Sequence, residues 1–176
     1  TVGPTLGSDS LVKSLKAGVI GIIMILVFMI GYYRVPGTVA AVSLVLYACI
    51  VLRALVLLKA TLTLPGIAGF ILSIGMAVDA NIIIYERLKD ELRHGKTLKA
   101  AIESGFSRAF WTIFDANLTT LIAAGVLMFF GTGPIKGFAV TLSIGIIASM
   151  FTAITFTRWL LMLVSDLFKK TELYVA

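Results

Sequence analysis

Apolar residues along the chain gather into runs, and the charged residues fall in the gaps between them. A helix that crosses a bilayer needs roughly 20 apolar residues, and five runs approach that length. The first extends from Ala17 to Tyr33, between Lys16 and Arg34. The second runs from about Pro36 to Leu58 and holds one charge, Arg53. The third follows a turn signal at Leu64-Pro65-Gly66 and ends near Tyr85, with Asp79 inside it. The fourth covers about Asn117 to Phe130, and Gly131-Thr132-Gly133-Pro134 closes it, because glycine and proline do not continue a helix there. The fifth, Gly137 to Thr157, carries no charge.

Glu86 to Phe114 is the one long polar connection. Its first part holds opposite charges at helical spacing, such as Arg87 with Glu91, which predicts that the third helix continues past the membrane surface. Gly95 breaks it. From Thr97, a suitable N-cap, apolar residues recur at Leu98, Ala101, Ile102, Gly105, Phe106, Ala109, Phe110 and Ile113, with Lys99, Glu103 and Ser107 opposite. That periodicity predicts an amphipathic helix lying in the interface. The pattern as a whole predicts an all-α membrane protein of five transmembrane helices plus one amphipathic interfacial helix.

Composition agrees: 59% of the 176 residues are hydrophobic and 14% charged, with a mean hydropathy of +1.04. A soluble domain could not hide that surface, so the lipid bilayer is the expected solvent. The net charge of +6 reflects membrane orientation rather than nucleic-acid binding, since the basic residues sit beside apolar runs. Arg34, Arg87, Lys89, Arg93, Lys96, Lys99, Arg108, Arg158, Lys169 and Lys170 fall on one side of the predicted spans. Lys13, Lys16, Lys59 and Lys136 fall on the other, with Arg53 inside the second span near its outer end, where its stem can snorkel. Ten against four places the N-terminus outside and the C-terminus in the cytoplasm by the positive-inside rule. The one cysteine, Cys49, excludes an internal disulfide and reads as a packing residue. The one histidine, His94, sits in the polar connection and reads as solvated. Neither a nucleophile-base pair nor a metal motif is present, so no catalytic residue, metal or cofactor is expected.

Helices in lipid pack closely where small residues let their backbones approach. The third span carries Gly69, Ser73, Ala77 and Asn81 at a period of four. The fifth carries Gly137, Thr141, Gly145, Ser149, Ala153 and Thr157 at the same period. Asp79 lies two positions after Ala77, about 200° around the helix, and so projects nearly opposite that stripe. A helix with a packing seam on one side and a carboxylate on the other belongs in the centre of a bundle. Asp79 is also eight residues before Arg87, about 12 Å of helix, too deep for a short side chain to reach water. Burying an acid there costs about 2.5–3.5 kcal/mol on insertion scales. Two readings answer that cost: a protonatable carboxylate in an ion relay, or a charge held for assembly by a basic residue on a neighbouring helix.

The tripeptide Asp-Ala-Asn occurs at Asp79-Ala80-Asn81 and again at Asp115-Ala116-Asn117. Asp115 is expected at the cytoplasmic start of the fourth helix, where a carboxylate caps free N–H groups and meets the helix dipole favourably. Thr119 and Thr120, one turn on, either reach a neighbouring helix or cover their own backbone.

These residues carry a specific resemblance. The run Thr61-Leu62-Thr63-Leu64-Pro65-Gly66-Ile67-Ala68-Gly69, then Gly75-Met76-Ala77-Val78-Asp79-Ala80-Asn81 and Glu86-Arg87, resembles the SecD family around its fourth transmembrane helix. Asp115-Ala116-Asn117-Leu118-Thr119-Thr120 and Gly131-Thr132-Gly133-Pro134-Ile135-Lys136-Gly137-Phe138-Ala139 resemble the family's fifth and sixth helices and their loop. Val2-Gly3-Pro4-Thr5-Leu6-Gly7 looks like the exit from its extracytoplasmic domain. The resemblance implies helices two to six of a six-helix half of the RND superfamily. Residues 1–14 would then leave a missing extracytoplasmic domain, 15–165 form the bundle with a cytoplasmic connection at 86–114, and 166–176 form a cytoplasmic tail.

It further implies a bacterial inner-membrane subunit that pairs with SecF, acts with the SecYEG channel on translocating polypeptide, and has YajC as a further candidate partner. Proton or sodium flow would drive it, with Asp79 in the ion path and Asn81, Asp115, Asn117, Thr119 and Thr120 as candidate supporting residues. An RND pump for lipids or drugs would share the acid but lack the Gly-Met-Ala-Val-Asp-Ala-Asn and Gly-Thr-Gly signatures. A non-transporting scaffold would have no need of a neutralisable acid at that depth.

Overall fold

The computed structural model describes residues 4–60, 63–167 and 174. All of its regular elements are helical: α1 (Pro4–Leu57), α2 (Leu64–Arg93), α3 (Leu98–Phe130), α4 (Gly133–Phe151), a π-helical segment (Thr152–Thr157) that continues α4, and α5 (Arg158–Leu167). Among the described residues, four stretches are long and apolar enough to cross a membrane: Ser10–Leu57, Leu64–Arg93, Leu98–Phe130 and Gly133–Leu167. Thr1 to Gly3, Thr61, Leu62 and most of the expected tail, including Lys169 and Lys170, lie outside the described residues.

A straight helix as long as α1 would measure about 80 Å, far beyond a hydrocarbon core of about 30 Å. It is not straight. Arg34 takes φ 50° and ψ −110°, outside the helical region, and Pro36 follows at once. The chain folds back so sharply that a Cβ on Gly37 would run into the Met29 carbonyl. Only glycine fits there. Residues 4–14, expected as an exit from another domain, already belong to the helical backbone of α1.

The start of α2 follows from its sequence: the Thr63 hydroxyl accepts from the Gly66 N–H at 3.1 Å, and Pro65 occupies the first turn, where its missing N–H costs nothing. Gly95, at φ 82°, reverses the chain into α3. At the opposite end the turn is only Gly131-Thr132, because Gly133 and Pro134 form the first turn of α4. That shortens the predicted Gly-Thr-Gly-Pro break. Proline is helix-compatible at that position and reads as a breaker only from inside a helix.

The helix α2 is central, packing most extensively on α4 and also on α3 and α1. One correction concerns α3. The predicted interfacial helix and fourth span form a single 33-residue helix through Asp115 and Asn117. No glycine or proline interrupts Phe106 to Ala124, and a helix satisfies its own backbone in water and in lipid alike. The stripe assigned to the interface meets protein instead: Ala101, Ile102, Gly105, Phe106, Ala109 and Ile113 are buried, and a Cβ on Gly105 would stand 3.1 Å from the Leu88 nitrogen.

Two other expectations change. Glu91 does not pair with Arg87; it is buried and holds Lys96 at 2.6 Å and Arg108 at 2.9 Å, tying α2 to the start of α3. Cys49 is exposed rather than packed, because a lipid-facing position and a core position look alike in an apolar run.

Candidate functional site

The small residues of α2 and α4 face one another along the two helices. Gly66 approaches Gly137 and Thr141, Gly69 lies against the Phe138 carbonyl, and Gly145 abuts Ser73. Ala77, Thr141 and Ser149 are all buried. Polar groups on this seam find partners inside the chain. Tyr47 of α1 donates to the Ser73 hydroxyl at 2.6 Å, and Ser73 donates to the Phe70 carbonyl at 2.8 Å. Further along, the Thr157 hydroxyl lies 2.9 Å from Ser43 Oγ and 3.2 Å from Asn81 Oδ1. That node joins α1, α2 and the π-helical segment.

Asp79 stands on the other side of α2. Fifteen residues separate it from Leu64 and fourteen from Arg93, so it sits about 22 Å from either end of the helix. Its side opens on a cavity of about 200 Å³ between α2 and α3, which Asn117 and Thr120 also line, with Met76, Ile83 and Ile113 as its apolar walls. Asp79 is exposed in the isolated chain. Among the described residues, the ion pairs join other side chains and leave this carboxylate without one.

The expected supporting residues divide into three groups. Asn117 and Thr120 share the groove with Asp79. Their donors are turned to their own helix: Asn117 Nδ2 to the Ile113 carbonyl at 2.8 Å, and the Thr120 hydroxyl to the Ala116 carbonyl at 3.1 Å. Hydroxyl and amide oxygens remain as acceptors, suited to a protonated carboxyl or a bare cation. Asn81 lies away from the groove, at the buried node with Thr157. Asp115 and Thr119 are exposed on α3, and the Thr119 hydroxyl returns to the Asp115 carbonyl at 2.9 Å. Asp115 therefore does not cap the start of a helix as expected. It lies well inside α3, where the backbone N–H groups are already bonded.

Sequence reasoning missed a second charged cluster. Lys89 is 2% exposed, with its Nζ 3.4 Å from Glu86 Oε1 and 4.6 and 4.9 Å from the ring centroids of Tyr32 and Tyr33. Tyr33 completes it by donating to Glu86 at 2.9 Å. This clamp fixes the tip of the α1 reversal to α2. The adjacent tyrosines before Arg34 and the i,i+3 spacing of Glu86 and Lys89 were the available signals.

Comparison with known proteins identifies the lineage. The family described as protein export membrane protein SecD/SecF, C-terminal, matches residues 1–166. Protein translocase subunit SecD of Acidaminococcus fermentans is 60% identical over 161 residues, covering 92% of this chain and 39% of that protein. The subunit of the same name from a Synechocystis strain is 57% identical, covering 93% of this chain and 35% of its own length. The crystal structure of SecDF, a translocon-associated membrane protein from Thermus thermophilus, superposes with a TM-score of 0.94 at 43% identity, over 97% of this chain and 24% of that one. The chain thus spans well under half the length of these relatives. With its matched signatures, its all-helical apolar architecture and an acid in the middle of its central helix, this chain belongs to the SecD/SecF family of protein export membrane proteins, over their C-terminal part.

Proposed function

We propose that the chain is the ion-coupling membrane part of a protein-export subunit, in which Asp79 alternates between charged and neutral states as protons or sodium ions cross the bilayer. The observation that carries this reading is the position of Asp79: mid-helix, without an ion pair among the described residues, in a groove with Asn117 and Thr120. Intramembrane acids that persist at such depth mark ion paths. A charged Asp79 calls for water or a cation in the groove, and a neutral one can donate to an oxygen of Asn117 or Thr120. Each state favours a different width of the α2–α3 groove, which is how a proton or cation could move helices.

In this reading the chain crosses a bacterial inner membrane five times, α1 counting twice about Arg34, with the N-terminus outside and the C-terminus in the cytoplasm. The uneven distribution of Lys and Arg supports that orientation. SecF is the partner half, SecYEG the channel served, YajC an accessory partner and translocating polypeptide the load. One double measurement tests the proposal. In the full-length protein with SecF, Asp79→Asn should assemble at wild-type yield yet lose gradient-driven stimulation of export. Normal export would refute the coupling role, and lost assembly would assign Asp79 to holding a charged partner instead.

A further inference from the structure

A second polar opening lies at the end of the bundle rich in Lys and Arg, where α3 runs beside the π-helical segment and the start of α5. A cavity of about 220 Å³ is lined there by Phe106, Ser107, Phe110, Trp111, Ile154 and Arg158. Arg158 is exposed and, among the described residues, enters none of the ion pairs. The acids nearest along α3, Glu103 and Asp115, do not line the cavity. Its two kinds of wall differ in chemistry: a guanidinium and a hydroxyl on one hand, aromatic rings and an isoleucine on the other.

Depth narrows the ligand. Trp111 lies nineteen residues before Phe130 at the far end of α3, about 28 Å along the helix, or close to one hydrocarbon thickness of about 30 Å. Both tryptophans of the chain, Trp111 and Trp159, stand at this level and are largely exposed, as indole rings are at the boundary between lipid and water. Arginine takes phosphate oxygens in pairs, and basic pockets between helices at this boundary suit anionic lipid headgroups. A free phosphate would leave the aromatic wall unused.

We propose that this cavity binds an anionic phospholipid, with Arg158 on the phosphate, Ser107 donating a second hydrogen bond, and an acyl chain lying along Phe110 and Ile154. The site is separate from the Asp79 groove and does not depend on the coupling reading.

Native mass spectrometry of the full-length protein, released from nanodiscs of equal phosphatidylglycerol and phosphatidylcholine, tests it. Wild type should retain phosphatidylglycerol preferentially, and Arg158→Gln should weaken that preference roughly fivefold. Ser107→Ala should weaken it less, Arg158→Lys should keep only part of it, since an ammonium lacks the paired grip, and Lys136→Gln, at the opposite end, should leave it unchanged. If Arg158→Gln fails to assemble, Ser107→Leu carries the test, since it fills the cavity from an exposed position and must lower retention. Unchanged retention in Arg158→Gln or Ser107→Leu would overturn the proposal. So would an Arg158-dependent adduct with inorganic phosphate that is unaccompanied by Arg158-dependent lipid retention.

Discussion

The two sides of α2 carry similar polar neighbours but differ in what those neighbours surround. On the side toward α4, Ser73, Asn81, Tyr47 and Thr157 are buried and hydrogen-bonded to one another or to backbone. On the side toward α3, Asp79 faces a cavity with Asn117 and Thr120 and, among the described residues, has no ion pair. Closed polar networks in lipid hold helices together. A carboxylate left open on a groove adds nothing to such holding, and the proposed coupling role gives it a changing ligand instead. Mutations should therefore separate stability from coupling according to the side they touch.

The largest effect on folding should come from Gly145→Leu. A side chain there meets Ser73 directly and stands 3.0 Å from the Tyr47 hydroxyl, so α2 and α4 must move apart at a cost of about 3 kcal/mol or more. Thermal unfolding in detergent should show it, while Ile147→Leu on the exposed side of α4 should leave the midpoint near wild type. Equal tolerance at both positions would break the comparison on the seam side.

Next comes Lys89→Met, which removes the ammonium between Glu86 and the Tyr32 and Tyr33 rings. Because Glu86 is half exposed and can regain water, the expected loss is about 1–2 kcal/mol. Faster proteolysis at the α1 reversal should accompany it. Asn81→Ala should cost less, about 0.6–1.7 kcal/mol, the range for hydrogen bonds between membrane helices. Thr157 keeps Ser43 as a partner in that variant.

The side toward α3 should respond in the other sense. Thr120→Val removes a hydroxyl that, among the described residues, bonds only to its own helix, so unfolding should shift by under about 1 kcal/mol. Gradient-driven export should nevertheless fall several-fold. A stability loss matching that of Asn81→Ala, with export intact, would erase the distinction between the sides.

How far the sequence revealed this arrangement depends on what each residue's neighbours make visible. The two stripes were legible because small residues at a period of four have little other use in lipid, but that they face one another was not. Asp79 was legible as an acid inside an apolar run. The continuity of α3 was not: a helix leaving water for lipid needs no break, so a change of solvent resembles a change of element. Asp115 was misplaced for that reason. Burial of Lys89 and Glu91 was also hidden, since charged residues beyond a span read as solvated until the packing of α1 and α3 covers them. The six-residue π-helical segment at Thr152–Thr157 left no periodic trace in a run that is apolar on most sides.

The coupling claim is tested most directly by ion flux. Full-length protein with SecF, reconstituted in vesicles and given an imposed proton or sodium gradient, should pass ions at a rate that depends on Asp79. Asp79→Asn should abolish that flux at wild-type complex content, and Gly145→Leu should lower flux only in proportion to lost complex. Equal flux per complex in wild type and Asp79→Asn, for both ions, would contradict the account.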